Sequence, residues 1–172
     1  MAMNCYAYAC KCTNPAGSGQ ALPGGYAGSP VQLKGESADD LAKRYIEGVK
    51  ADMEKNNIEV KIHDQKTPHE TPKPSDGNYL IAMVSKSDGF HFFRRDTNGL
   101  WSWKDGDKGA ITGQVTKINK VFKDKLCNVD DVVLQQMVTT TNAYYPSWGL
   151  PWQFRAYIEL PDGGMTVAGK IE

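Results

Sequence analysis

This chain of 172 residues has no excess of either charge: 20 Lys and Arg stand against 20 Asp and Glu. Bulk electrostatics therefore give no reason to expect a nucleic-acid or anionic-membrane partner. Long apolar runs are missing too. The longest, Tyr79 to Val84, falls far short of the roughly 20 residues that a membrane span needs. No basic segment followed by an apolar one opens the chain, so no secretion signal is read. The expected location is the cytoplasm of the producing cell, with carriage in a phage particle or delivery by a secretion machine left open. Walker loop, GxGxxG, GxSxG and HExxH patterns are all absent, which removes the usual support for nucleotide and zinc-protease chemistry. Cysteine is scarce: Cys5, Cys10 and Cys12 crowd the first dozen residues and Cys127 stands alone. C-x4-C-x-C is not a common zinc spacing, although His63, His69 or His91 could complete four ligands in space. Reduced thiols are expected, with no metal and no cofactor.

What is present is ordinary for a globular protein: 40% hydrophobic and 23% charged residues. The length predicts one domain over residues 1–172, able to bury roughly 70% of the surface of its unfolded chain. Within it, residues 13–35 are rich in Gly and Pro and lack periodicity, and residues 64–76 carry Pro68, Pro72 and Pro74. The first reads as a long loop that is either disordered or part of a site, the second as a connector.

Asn4 is placed to cap a short helix beginning at Cys5. Ser37, with Asp40 three residues on, opens the clearest helix: Leu41, Tyr45, Val49 and Met53 follow at four-residue steps, and the helix ends near Asn56. Ile58, Val60 and Ile62 alternate as a half-buried strand. Further strands are expected at Tyr79–Ser85, Phe90–Arg95, Leu100–Lys104, Gln153–Leu160 and Met165–Ala168. Asn98-Gly99 predicts a two-residue hairpin turn with positive φ at both positions. Pro161-Asp162-Gly163-Gly164 predicts a second turn. Asn128 is expected to cap a helix with a Val133, Leu134 and Met137 stripe that Thr139-Thr140-Thr141 would end. Helices first and antiparallel strands later argue for an α+β fold, with N-terminal helices on a mainly antiparallel sheet.

Cys5 draws the chemical argument. In the first helical turn, free backbone N–H groups and the positive end of the dipole favour a thiolate, whereas a bland Cys5 is a small buried hydrophobe. A nucleophilic thiol needs a base, and His91 is the best candidate because a predicted central strand would hold its ring. The competing reading is a hydrogen-bonded core histidine. Asp105 or Asp107 could orient the imidazole. With a two-residue turn, however, Thr97 pairs with Leu100 and strand parity puts Lys104 on the His91 side, so a bulge is needed near Lys104 to Gly106. The Cys5 N–H, with Gln20 as a second donor, would form the oxyanion hole. Asn4, Trp101 and Trp103 are further candidates to contact substrate. Arg94, Arg95 and Lys104 among the aromatics could stack on nucleic-acid bases, but a strand with one buried and one solvated face gives the same pattern. The aromatic and proline-rich stretch 144–152 could line a cleft, although a loop packed on the sheet is the simpler reading.

Two blocks carry a resemblance. Asn4-Cys5-Tyr6-Ala7-Tyr8-Ala9 with Pro15-Ala16-Gly17-Ser18-Gly19, and then the run from Gly89 to Gly106, resemble a little-characterised bacterial and phage family. Its members show N-C-Y-x-Y-A, a Pro-Gly/Ser-Gly loop, and D-Y-H-W-Y-R-x-D-x-x-G-x-W-S-H-K-x-G. The order of a helix-borne Cys and then a strand-borne His is also similar to papain-like, NlpC/P60 and CHAP cysteine hydrolases. Trp103 stands where the family has His. The resemblance implies a papain-like cysteine peptidase or amidase, with Cys5 as nucleophile and His91 as base, acting on a peptide, protein or peptidoglycan amide. The alternative is a non-enzymatic binding or structural module whose cysteines are buried or metal-bound.

Overall fold

A computed structural model describes residues 3–117, 125–139 and 151–171. The chain is α+β, built on a six-stranded sheet with strand order β1-β8-β2-β3-β4-β5. Its strands are β1 (Ile62–His63), β2 (Asn78–Lys86), β3 (Gly89–Arg95), β4 (Trp101–Lys104), β5 (Ile111–Thr112) and β8 (Gln153–Pro161). Every paired neighbour runs antiparallel. A separate ribbon pairs β6 (Gln114–Lys117) with β7 (Lys125–Asn128). The helices are α1 (Cys5–Ala9), α2 (Ala38–Lys55) and α3 (Asp131–Met137).

The apolar run of β2 explains the layering. Its side chains alternate between two faces, and both are buried. Tyr79, Ile81 and Met83 join a core with α1, α2 and Phe92, while Leu80, Ala82 and Val84 join a second core with Phe93, Trp101, Trp103 and α3. The two cores thus lie on opposite sides of one sheet.

Asn4 caps α1, its side chain accepting the Ala7 N–H at 3.0 Å. Ser37 caps α2, which ends at Asn56. Three expectations need correction. Only Ile62–His63 of the stretch from Ile58 forms a strand. Met165–Ala168 forms no strand; after the Pro161–Gly164 turn this tail runs along the loop at 13–35, bonding Ala16, Ser18 and Leu22 through its backbone. Asp130, not Asn128, caps α3, because Asn128 is drawn into pairing with Gln114 at the end of β7. Strands β5, β6 and β7 were not foreseen. Thr140 and Thr141 lie outside the described residues, as do 144–150 of the aromatic stretch.

The loop at 13–35 is ordered by a buried carboxylate. Asp52, fully buried on α2, accepts the Tyr6 hydroxyl at 2.7 Å, the Gly24 N–H at 2.9 Å and the Ala27 N–H at 3.0 Å. Gly48, one turn earlier, lets the loop close on the helix. A Cβ there would stand 2.7 Å from the Pro23 carbonyl carbon. Gly48→Ala should therefore destabilise the protein by about 2 kcal/mol in urea denaturation, although helix propensity alone favours Ala by about 1 kcal/mol.

Candidate active site

Cys5, His91, Asp105, Gln20 and Asn4 line one open cleft of about 440 Å³. The start of α1, the loop at 13–35, Tyr45 on α2, the open ends of β3 and β4, and Trp152 ahead of β8 make it. The hairpin between these strands decides which carboxylate arrives. Asp96 and Leu100 bond across a three-residue loop, the Gly99 N–H donates to the Asp96 carbonyl, and Gly99 alone of the turn residues takes positive φ. This is a type I turn with a Gly bulge in place of the expected two-residue turn. The extra residue pairs Arg95 with Trp101 and Arg94 with Ser102. This register puts Asp105 on the same face of the hairpin as His91, so the bulge that was needed lies in the turn itself. Asp107 does not line the cleft.

Beyond Arg94 and Ser102 the strands part. β3 continues against β2, while β4 turns to β5. In the uncovered stretch of β3, the Phe92 N–H is directed at the Cys5 sulfur. Burial pushes the Cys5 thiol up to about 12, opposed by the N–H groups of Phe92, Tyr6 and Cys5. Of the two readings of Cys5, this favours the buried, neutral thiol. α1 is a single short turn, and the desolvation of a cysteine only 5% exposed outweighs the help of nearby amides.

His91 is 3% exposed, and burial lowers its pKa to about 3. Strand alternation turns its ring to the second core, edge-on to Phe93 at 4.8 Å, while Phe92 turns to Tyr6 at 4.8 Å. The thiol and imidazole thus reach the cleft from opposite faces of β3, at the end where the sheet opens. Both groups are neutral in this state. Burial raises the Asp105 carboxyl, with the Trp103 indole N–H and Lys104 acting against that rise.

Three substrate-binding expectations change. Asn4 spends both ends of its amide inside the protein, on the Ala7 N–H and the Ala21 carbonyl at 2.8 Å, so at the wall of the cleft it fixes α1 to the loop. Trp101 and Trp103 are fully buried in the second core, and the Trp101 indole donates to Asp131 at 2.7 Å. Substrate cannot reach either ring.

The arginine and aromatic pattern has a role that the sequence reading missed. Arg94 donates to Asp96 at 3.0 Å, to the Tyr8 carbonyl at 3.2 Å and to the Tyr8 hydroxyl at 3.0 Å, and lies over the Tyr8 ring at 4.1 Å. Ser102 shares a 2.6 Å hydrogen bond with the Tyr8 hydroxyl and donates to Asp96 at 2.7 Å. This network locks α1, with Cys5 at its start, onto the hairpin that carries His91 and Asp105. The residues that make it, Tyr8, Arg94, Asp96 and Ser102, stand in the same two sequence blocks as Cys5 and His91.

No protein-family model, curated protein or solved structure matches the chain. Among the described residues, no three His, Cys, Asp or Glu side chains are grouped to hold a metal ion, and no helix is long and apolar enough to cross a membrane.

Two measurements test this geometry. An imidazole held neutral to about pH 3, against about 6.5 when unfolded, contributes stability that is intact above pH 6.5 and lost as pH falls toward 3. Between pH 6.5 and 4.5, unfolding free energy should fall by up to about 1.4 kcal/mol per pH unit, and His91→Asn should remove about one proton's worth of that slope. The Glu159 carboxyl on β8, resisting burial through the Ser75 N–H and the His63 ring, lies at about 2 and acts mainly below that window, while the raised Asp52 and Asp105 carboxyls oppose the fall and leave the His91→Asn difference to isolate the imidazole. Separately, Arg94→Met should cost about 2 kcal/mol and speed iodoacetamide alkylation of Cys5, with Cys127 unchanged.

Proposed function

We propose that this chain is a cysteine-dependent hydrolase of papain-like, NlpC/P60-type architecture, a peptidase or amidase acting on a peptide, protein or peptidoglycan amide bond. The observation that carries the reading is the convergence of Cys5, His91, Asp105 and Gln20 on one cleft, from segments far apart in the chain. With thiol and imidazole both neutral, activation accompanies attack. The imidazole turns from Phe93 into the notch between β3 and β4 and takes the thiol proton as sulfur bonds to the amide carbonyl carbon. The carbon–nitrogen bond breaks, and the same proton leaves with the amine. Water, deprotonated by His91, then cleaves the thioester, releasing the carboxylic acid and restoring the thiol. Asp105, on the same face of the hairpin as His91, orients the ring, and the Cys5 N–H with Gln20 stabilises the oxyanion.

A second reading has its own observation. The Cys5 sulfur is almost sealed and its pKa stands at about 12, which suits a binding module whose cleft performs no chemistry.

p-Nitrophenyl acetate distinguishes the two. The hydrolase should release p-nitrophenol in a burst, leave a hydroxylamine-labile acetyl group on Cys5, and turn over. Cys5→Ala should abolish the burst, and His91→Ala should slow acylation by roughly 100-fold or more. Acetylation of Cys127 alone would overturn the hydrolase in favour of the binding module.

A further inference from the structure

The walls of the cleft carry information about what it accepts. Leu22, Val31, Leu33, Tyr45, Phe90 and Trp152 form a broad apolar lining. Leu33 is 56% exposed, one of few large hydrophobic side chains left in water among the described residues, and it stands at this cleft. Hydrocarbon held in water beside a reacting centre gains free energy when an apolar group covers it. The charge on the lining has one sign: Asp88 and Asp105 are acidic, and no Lys or Arg lines the cleft. The nearby cations stand at its rim, each engaged by lining residues. Lys86 pairs with Asp88 at 3.4 Å while lying over the Trp152 ring at 4.9 Å, and Lys104 donates to the Gly106 carbonyl at 3.2 Å. The Lys86–Asp88 pair is solvent-exposed on the Asp88 side, where screening leaves it weak.

From these walls we infer that the cleft selects peptides presenting an apolar side chain together with a cationic group beside the reacting carbonyl, and disfavours acidic ones. This rests on Cys5 being the nucleophile. Leu33 is the specificity-determining residue for the apolar group and Asp88 for the charge. An apolar side chain displaces water from Leu33, Val31 and Trp152. A cation gains from Asp88 and Asp105, whereas a carboxylate meets two acidic side chains and no Lys or Arg on the lining.

Four chloroacetyl dipeptide amides test the inference: Leu-Lys, Gly-Lys, Leu-Glu and Gly-Glu. The sulfur displaces chloride to form a thioether, the thiol proton passing to His91 or buffer, and peptide mass mapping reads the rates at Cys5 and Cys127 in one sample. Cys127, partly exposed on the β6–β7 ribbon, reports the intrinsic reactivity of each probe. At Cys5, Leu should exceed Gly by roughly tenfold, and Lys should exceed Glu by about threefold at low salt. Leu33→Ser should erase the first preference. Asp88→Asn or 0.5 M NaCl should erase most of the second. Equal rates for the four probes, an acidic preference, or a leucine preference that survives Leu33→Ser would overturn the specificity while leaving Cys5 as nucleophile. Alkylation of Cys127 with none at Cys5 would overturn the nucleophile and this inference with it.

Discussion

Asp52 is the interaction on which the rest of the arrangement depends. A carboxylate with no solvent exposure is costly unless its lone pairs are filled, and here they are filled by groups from two other segments. The Tyr6 hydroxyl comes from α1 and the Gly24 and Ala27 amides from the loop at 13–35, so one buried group on α2 joins the loop to the short helix that begins at Cys5. Burial raises the Asp52 carboxyl, and the Tyr6, Ala27 and Gly24 donors act against that rise. A helix of one short turn does not persist by itself, because nucleation costs more than a few backbone bonds return. α1 exists because tertiary contacts hold it at both sides. Asp52 grips it through Tyr6, and the Arg94, Asp96 and Ser102 network grips it through Tyr8.

That double grip explains why the cleft lies where it does. The loop, tied down by Asp52 and by the C-terminal tail, brings Gln20, Val31 and Leu33 to the start of α1. The hairpin, tied to α1 through Arg94, brings the parting ends of β3 and β4 to the same place. Cys5 occupies the notch because β4 leaves β3 after Ser102, freeing the Phe92 amide to face the sulfur. The resting chemistry follows from packing: a nearly dry sulfur and a nearly dry imidazole are both most stable uncharged. Under the proposed mechanism, the protein holds a quiet thiol whose activation waits for a ligand in the cleft and a turn of the His91 ring.

The hairpin turn shows how a local detail governs a distant pairing. Asn98-Gly99 is a strong turn signal, and a turn does form there. Whether two or three residues span it depends on how Asp96 and Leu100 meet, and Asp96 is also held by Arg94 and Ser102. One residue more in the loop exchanges the side chains facing His91, replacing Lys104 with Asp105.

From the sequence alone came the elements that local chemistry dictates. Asn4 and Ser37 as caps, the four-residue spacing along α2, the two-sided apolar run of β2 and the long β8 are written in side-chain size, hydrogen-bonding capacity and periodicity, so the α+β class, the strand bearing His91 and the strand that ends just before Asp105 were legible. The short strands β5, β6 and β7 were not, because two to four residues carry too little periodicity to read. Nor were the burial of Trp101 and Trp103, the inward bonding of Asn4, the lock made by Arg94, or the neutral state of Cys5. Each depends on which segments, tens of residues apart, are pressed together and how completely they exclude water, and only the tertiary structure decides that.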